Sequence, residues 1–493
     1  MSVAVRSRVA ALLEHAEERY TDPQVVDDLH AARQRLEAPL RVAIAGKVKA
    51  GKSTLLNALV GELLAPTDAG ECTKIVTWYR DGLTYRVTLQ PVDGEPVQVP
   101  FTREDDALVV RLDGRRPADV ERLVVDWPAA SLRAMTLIDT PGIGSLSTEV
   151  SERTHAFLVP EDRPGEADAV CYLMRHLHQT DARFLEAFHD DDSARATPMN
   201  AIGVLSRADE IGVGRLDALE AAGKIARRYR GDPQIRRLCQ TVLPVAGLLA
   251  ETGATLREHE YAALSALVNI EREELSELLL SADRFASPHA DVDVDAEARK
   301  ALLARFGLFG IRVSVALIRS GQAPTATRLA AGLVRRSGIE ALRETLVTQF
   351  AARADLLKAR TGLAVLSAVL RTHPLDGSEQ MLAEIEQIMA STHAFAEARL
   401  LNALRAGNVV LDDAGAQEAE RLLGGHGDAP AVRLGLATDE DATQPDLMAL
   451  EAAAMDALSR WRRRAEHPMA SRSSIETALL VVRSCEGVLA SLR

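Results

Sequence analysis

The stretch AIAGKVKAGKSTLLNALVG, residues 43–61, decides how this chain is read. Short apolar residues lead into Gly46-Lys47-Val48-Lys49-Ala50-Gly51-Lys52-Ser53, which matches G-x-x-x-x-G-K-[ST] between a strand pattern and a helix pattern, the context this motif requires. Its glycines let backbone amides close around phosphate, and the helix start that follows aims further donors at negative charge. Lys52 is expected to reach the β- and γ-phosphates, the Ser53 hydroxyl to ligate Mg²⁺, and Thr54 to belong to the same nucleotide-binding turn. The chain has only seven lysines among its 58 basic residues, and three of them stand in this loop. Lys52 has the defined phosphate role, whereas Lys47 reads as a surface residue of the nucleotide loop that helps attract phosphate. A P-loop does not choose its base, so ATPase, kinase and GTPase readings all remain open at this step.

Three further segments narrow the choice. LIDTPG (137–142) ends an apolar strand with Asp139 and places Gly142 three residues on, an acid for the Mg²⁺ shell and an amide that can sense the γ-phosphate. GVLSRADEI (203–211) follows another strand and resembles the [NT]-K-x-D guanine signature as Ser206-Arg207-Ala208-Asp209. Asp209 can accept hydrogens from N1 and the 2-amino group of guanine; adenine offers neither in that geometry and would leave the carboxylate unpaired. The Arg207 stem would cover the face of the base, although Ser206 and Arg207 both depart from the usual residues. PVAG (244–247) ends the next strand and makes Ala246 and Gly247 the last base loop. Between the P-loop and Asp139, APTDAGECTKIV (65–76) offers Thr73 as the mobile-loop threonine that ligates Mg²⁺ and fixes the attacking water. Thr67 and Thr77 are its rivals, and Thr77 falls inside a strand pattern. GTP and GDP with Mg²⁺ are the expected ligands, and GTP hydrolysis the expected reaction.

A length of 493 residues with 47% apolar content implies two to four domains. The net charge of −13 argues against a general grip on nucleic acid or anionic lipid, and a ribosome-bound role is disfavoured for the same reason. Cys72, Cys171, Cys239 and Cys485 are scattered without metal or disulfide spacing and read as thiols of a reducing cytosol. The longest apolar runs, such as GLAVLSAVL (362–370), fall short of the ~20 residues that cross a bilayer, so the chain is expected to be cytoplasmic and any membrane contact peripheral.

Residues 1–37 show two amphipathic helical patterns separated at Asp22-Pro23, a helix start. From Leu40 to about 250, apolar strand runs alternate with helical stretches, which predicts an α/β domain with a mostly parallel sheet covered on both faces. Asp93-Gly94 marks a hairpin that adds an antiparallel edge. Beyond about 250 the pattern is helical to the end.

The ordered set Gly46–Ser53, Thr73, Asp139–Gly142 and Ser206–Asp209, with helices on both sides, resembles the bacterial dynamin-like proteins. STHAFAEARL (391–400), RFGLFGIR (305–312), RLGL (433–436) and WRRRAEHP (461–468) look like the shorter member of the mycobacterial isoniazid-inducible dynamin-like GTPases. The resemblance implies N-terminal neck helices at 1–37, a GTPase domain at 38–352 and a C-terminal helical neck or short stalk at 353–493. It also implies dimerisation through GTPase heads, contact with the inner face of the plasma membrane, and membrane remodelling or maintenance under cell-envelope stress. A second class of function is a nucleotide-regulated scaffold or partner of a longer dynamin-like protein, with no lipid remodelling of its own and no apolar loop that dips into lipid. Two positions depart from the family: dynamins carry Gln or a related polar residue and then Ser where this chain has Val48 and Lys49. Guanylate-binding proteins place an arginine finger at the Lys49 position, which makes Lys49 a candidate catalytic cation in cis, against the plainer reading of a solvated loop lysine that helps attract phosphate.

Other features read as structural. Arg460, Arg462, Arg463 and Arg464 around Trp461 cannot share one helix face. DVDVDAEARKAL (291–302) lacks the glycine and glutamate of a calcium loop, so Asp293 or Asp295 is a helix cap. The His176-Leu177-His178 run at a strand end belongs to packing or surface.

Overall fold

The strands follow the apolar runs. β1 (Leu40–Gly46), β2 (Val76–Asp81), β3 (Arg86–Pro91), β4 (Val97–Val99), β5 (Phe101–Glu104), β6 (Ala107–Val110), β7 (Val120–Trp127), β8 (Met135–Asp139), β9 (Ala169–Met174), β10 (Ala201–Ser206) and β11 (Val242–Val245) cover the segments the sequence marks, with β5–β6 as an additional two-stranded ribbon. The computed structural model describes residues 2–66, 75–104, 107–112, 114–142, 166–175, 181–183, 185, 200–212, 214–288, 293–405, 408–409, 411–436 and 445–492.

Nine strands form one sheet in the order β11-β10-β9-β1-β8-β2-β7-β3-β4. β11, β10, β9, β1 and β8 run parallel, β2 turns antiparallel to β8, and the β3–β4 hairpin around Asp93-Gly94 closes the far edge. Strands β9 and β10 are buried at every position, as expected of parallel strands covered on both faces. One face packs against α3 (Lys52–Val60) and the helices Gly247–Ala254 and Ile339–Thr345, the other against Ala218–Gly231 and Pro233–Leu238. Registers Ile44↔Asp139, Gly46↔Leu173 and Ser206↔Val245 bring the carboxyl ends of five parallel strands to one edge, where α/β sheets bind ligands.

α1 (Ser2–Glu17) and α2 (Pro23–Glu37) do not pack on the sheet face. Asp22 caps α2 by accepting the Gln24 amide at 3.0 Å, with Pro23 at the first helical position. Both helices bury Val9, Leu13, Leu29 and Leu36 against Leu363 and Leu366 of the helix Ala354–Thr372. A Cβ at Gly362 would stand 3.3 Å from Val9 Cγ1 and 3.4 Å from Leu13 Cδ1, so this glycine lets the helices approach closely.

The chain enters the 354–372 helix through a π-helical stretch, Leu346–Phe350, and a 3-10 turn, Ala351–Arg353. Such irregular helix often marks a hinge. Arg353 clamps this passage to the C-terminal helices, with Nε and Nη2 donating to Asp428 at 2.7 and 2.8 Å. Burial alone would raise the Asp428 carboxyl, but Arg353 and Arg433 outweigh it and hold it at about 2.

Asp168, at the entrance to β9, ties α2 and the 354–372 helix to the sheet. It pairs with Arg35 of α2 at 2.8 Å, accepts the Arg41 amide of β1 at 2.8 Å and accepts the Thr361 hydroxyl at 3.1 Å. The Asp168 side chain is wholly buried.

Two sequence expectations change here. The helix Ala296–Arg319 is long and apolar enough to cross a membrane by length and composition, which no contiguous run had suggested, because Arg305 and Arg312 interrupt its apolar stretch. Half of its apolar window is buried within the protein, Gly307 breaks it at φ 59°, and both arginines are bonded inside the fold, Arg305 to Glu260 and Arg312 to the Gly214 carbonyl. It is the core helix of the cluster that also holds Leu264, Phe285 and Leu329. Apolar side chains are also exposed on loops, Leu83 before β3 and Met469 at 87% between the helices Leu447–Ala465 and Arg472–Ser491. Asp295 does cap the 296–319 helix, accepting the Ala298 amide at 2.7 Å. Trp461 is buried, while Arg460, Arg462 and Arg464 fan out to Glu418, Glu486 and Asp412 on other elements.

Replacing Asp168 with alanine removes a carboxylate that three elements share in a dry site. The expected cost is roughly 3–5 kcal/mol, read as a lowered denaturant midpoint. A loss below about 1 kcal/mol, the size of a surface pair, would show that the junction is held elsewhere.

Candidate functional site

The phosphate loop begins where β1 meets β9. Gly46 has φ 150°, and a Cβ there would lie 2.6 Å from the Leu173 carbonyl oxygen, so only glycine fits between the strand end and its neighbour. Gly51, at φ 94°, turns the chain into α3. Lys49 adopts left-handed backbone at φ 61° with its side chain exposed, and it makes no ion pair with any described residue. Lys52 folds back over the loop, Nζ donating to the Gly46 and Lys47 carbonyls at 3.2 and 3.3 Å. Burial lowers its ammonium pKa, and Asp139 opposes that shift.

Ser53 Oγ donates to Asp139 Oδ2 at 2.9 Å. The other carboxylate oxygen, Oδ1, is buried with no hydrogen-bond partner among the described residues. Burial pushes the Asp139 carboxyl up to about 6, with Lys52 and Ser53 pulling it back. An anionic oxygen without a partner beside a hydroxyl, at a helix start, suits a divalent cation, so these residues fit Mg²⁺. Among the described residues there is no cluster of three or more His, Cys, Asp or Glu able to hold a metal, as expected for a cation that takes most of its ligands from phosphate and water. Gly142 comes against the same loop: a Cβ on it would lie 2.5 Å from Val48 Cγ2 and 2.8 Å from Val48 Cα. The Thr140 hydroxyl, bonded to the Ile44 carbonyl at 2.9 Å, holds that segment to β1.

Beside the loop lies a cavity of about 140 Å³. Ala50, Gly51 and Thr54 line it from the P-loop, Ser206, Arg207 and Asp209 from the end of β10, and Gly247 from the end of β11. The segments that sequence reading assigned to phosphate and base therefore meet, across more than 190 residues of chain. Arg207 takes left-handed backbone at φ 53°, and its guanidinium is held by Glu210 at 2.5 Å, which Arg175 also approaches at 3.3 Å. Burial raises the Asp209 carboxyl. Ser206 is buried, with its hydroxyl donating to the Met174 carbonyl at 3.4 Å. Ala246 is buried at the head of the 247–254 helix, its amide bonded to Ser337.

Lys47 is not the free surface residue expected. Its Nζ lies 3.2 Å from Asp181 Oδ2, a buried carboxylate that also accepts the Tyr172 hydroxyl at 2.7 Å. Gly46 and Leu173 are in register, so the end of β9 lies beside the start of the P-loop, and Asp181 follows β9 by seven residues. Thr77 is buried in β2 opposite Asp139, its hydroxyl on the Ile75 carbonyl, as its strand position suggested. Thr67, Cys72, Thr73 and His176–His178 lie outside the described residues.

Sequence reading missed Asn57. Its Oδ1 accepts the Leu64 and Ala65 amides at 2.9 and 2.7 Å, and its Nδ2 donates to Glu251 at 2.7 Å. It thus fastens the end of α3 to the helix that begins at the base loop. An amide inside an otherwise apolar helix, LLNALV, was the available signal.

A P-loop in the middle of a mixed sheet, with the acid that ends the adjacent strand and the glycine three residues on set against it, is the arrangement of a P-loop nucleotide-binding domain. The sequence pattern of the dynamin family matches residues 42–208. Isoniazid-induced protein IniC of Mycobacterium tuberculosis is 43% identical over 458 residues, which cover 92% of this chain and 91% of that protein. The chain belongs to the dynamin family. A bacterial dynamin-like protein of Nostoc punctiforme is 33% identical over 130 residues, 24% of this chain and 19% of its own. Among solved structures, a chain from an oligomerised bacterial dynamin pair, described as sensing and tethering membranes at long range, aligns with a TM-score of 0.31 at 14% identity, covering 99% of this chain and 74% of its own.

Glu251 supplies a pH test. Burial pushes its carboxyl from 4.5 up to about 7, against the Asn57 hydrogen bond and the charge of Arg305. Between those values the native state holds a proton that the unfolded chain has lost, so this group's stabilisation is full below about 4.5 and is lost as pH rises through 7. Glu251→Gln should flatten that part of the pH–stability curve, removing a slope worth roughly 3 kcal/mol across the window, as seen by thermal melts at several pH values. An unchanged slope would mean that Glu251 titrates normally.

Proposed function

We propose that this protein binds GTP with Mg²⁺ and hydrolyses it, and that nucleotide state moves the helices joined to the head. The observation that carries this reading is the meeting of Asp139, Ser53, Lys52 and the Asp209 cavity at one sheet edge. The base enters the cavity with Asp209 on its N1 and 2-amino edge and Arg207 across its face, while Gly46–Ser53 and Thr54 wrap the phosphates. Ser53 and Asp139 would hold Mg²⁺, together with Thr73, and that ion neutralises charge on the phosphates when bound. Lys52 exchanges its two carbonyl partners for phosphate oxygens. Lys49, exposed beside the loop and free to swing inward, supplies positive charge to the transition state in cis.

Gly142 touches Val48, so a change at the γ-phosphate reaches the end of β8 directly. Residues 38–352 act as the head, and residues 1–37 with 353–493 form the helical neck, the irregular helix 346–353 serving as the hinge between them. Kinship with IniC and with a bacterial dynamin-like protein supports a peripheral role at the inner face of the plasma membrane during envelope stress, through head-to-head dimers or with a longer dynamin-like partner.

Thermal stabilisation by GTP, GDP and ATP, followed by turnover with and without liposomes, tests the reading. About 100 Kd of the right nucleotide should add roughly 2.7 kcal/mol, and an equal response to ATP would end the guanine assignment. Lys49→Ala should keep GTP binding and slow hydrolysis by roughly 100-fold. Unchanged turnover in that variant would return Lys49 to the solvated surface.

A further inference from the structure

A second and larger cavity, about 400 Å³, lies away from the nucleotide site, where α2 and the 354–372 helix meet the sheet. Its inner wall is basic and aromatic. Arg41 of β1 and Arg122 of β7 both stack on the Trp78 ring, at 4.6 and 4.7 Å from its centroid, and both approach Glu166, at 3.2 and 3.7 Å. Arg35 enters from α2 on its bond to Asp168. Three guanidiniums, of Arg35, Arg41 and Arg122, thus gather around Glu166, with Asp168 behind Arg35 and with Asp22 and Asp28 also among the lining residues.

Trp78 is 8% exposed, and its indole N–H is buried without an acceptor among the described residues. A buried donor of this kind is costly unless something accepts from it. Burial, and then the nearby charge of Arg35, bring the Arg41 guanidinium down to about 10, with Glu166 and Asp168 opposing the shift. The opposite wall is apolar, from Val25, Ala32, Val365 and Val369, with exposed Asp22 and Asp28 only at the rim.

We propose that this cavity binds a small organic anion, its carboxylate or phosphate group on Arg41, Arg122 and the Trp78 N–H, and its apolar body against α2 and the 354–372 helix. The volume falls within the ~300–1,000 Å³ range of small-molecule sites, which are mostly apolar with a few fixed polar groups. Its walls belong to β1, β2 and β7 on one side and to α2 and the 354–372 helix on the other, so an occupant touches both sides of the Asp168 junction. Binding there favours the arrangement described and opposes separation of the two. The site shares no lining residue with the nucleotide cavity, so it stands whether or not the nucleotide assignment does.

The test is calorimetric titration of the full chain with phenyl phosphate and with benzoate, using benzyl alcohol as the uncharged control. Both anions should bind with Kd near or below about 1 mM, and benzyl alcohol should not. Arg122→Gln, which leaves the Asp168 junction intact, should weaken anion binding roughly tenfold, and Ala368→Phe, which fills the cavity, should abolish it. Lys52→Ala should leave both affinities unchanged, which separates this site from the phosphate loop. Binding that is lost in Lys52→Ala, that persists in Ala368→Phe, or that benzyl alcohol matches would overturn the proposal, as would no heat from either anion.

Discussion

A loop that wraps phosphate with bare amides cannot carry a side chain where it leaves the strand, and the rest of this structure is arranged around that restriction. At Gly46 the limit is backbone against backbone, because any Cβ would press on the Leu173 carbonyl. The contact exists only because β1 sits between β8 and β9 in the middle of the parallel strands. That placement also puts Asp139 and the Ser53 hydroxyl within hydrogen-bond distance, and brings the ends of β10 and β11 round to line the cavity beside the loop. The site is a consequence of strand order. Its chemistry is a consequence of which residues stand at the strand ends.

Buried charge ties α2 and the C-terminal helices to the sheet and to the helices that cover it. Asp168 gathers Arg35, the Arg41 amide and Thr361, and Arg236 with Arg405 share Glu420 between the helix Pro233–Leu238 and the C-terminal helices. Such pairs add little net stability compared with well-packed apolar residues, but they are directional and costly to half-break. A junction built this way favours discrete positions over continuous sliding. The π-helical stretch 346–350 lies beside this junction, where the chain enters the 354–372 helix.

Much of the fold was legible because its signals are local. The strand runs, the Asp93-Gly94 hairpin, the Asp22 and Asp295 caps and the helical C-terminal part each rest on a few consecutive residues, and all appear where expected. The exceptions have a common cause. Lys47 reads as surface because its partner, Asp181, lies 134 residues away, and Asn57 draws no reading because Glu251 lies 194 residues away. The 296–319 helix escapes an unbroken-run criterion because two arginines interrupt it, and both are satisfied by distant partners inside the protein.

The sequence by itself determined the glycine-rich loop between β1 and α3, the acid and glycine that face it, the carboxylate that follows β10 and the alternation that makes a parallel sheet, since each needs only neighbouring residues and their backbone preferences. Only the tertiary structure decided that Lys47 is tied down while Lys49 stays exposed, that Asn57 locks α3 to the base loop, and that Arg41, Arg122 and Trp78 share a cavity under α2. Those outcomes depend on which strands become neighbours. Strand order is set by burial summed over the whole chain, and no short stretch contains it.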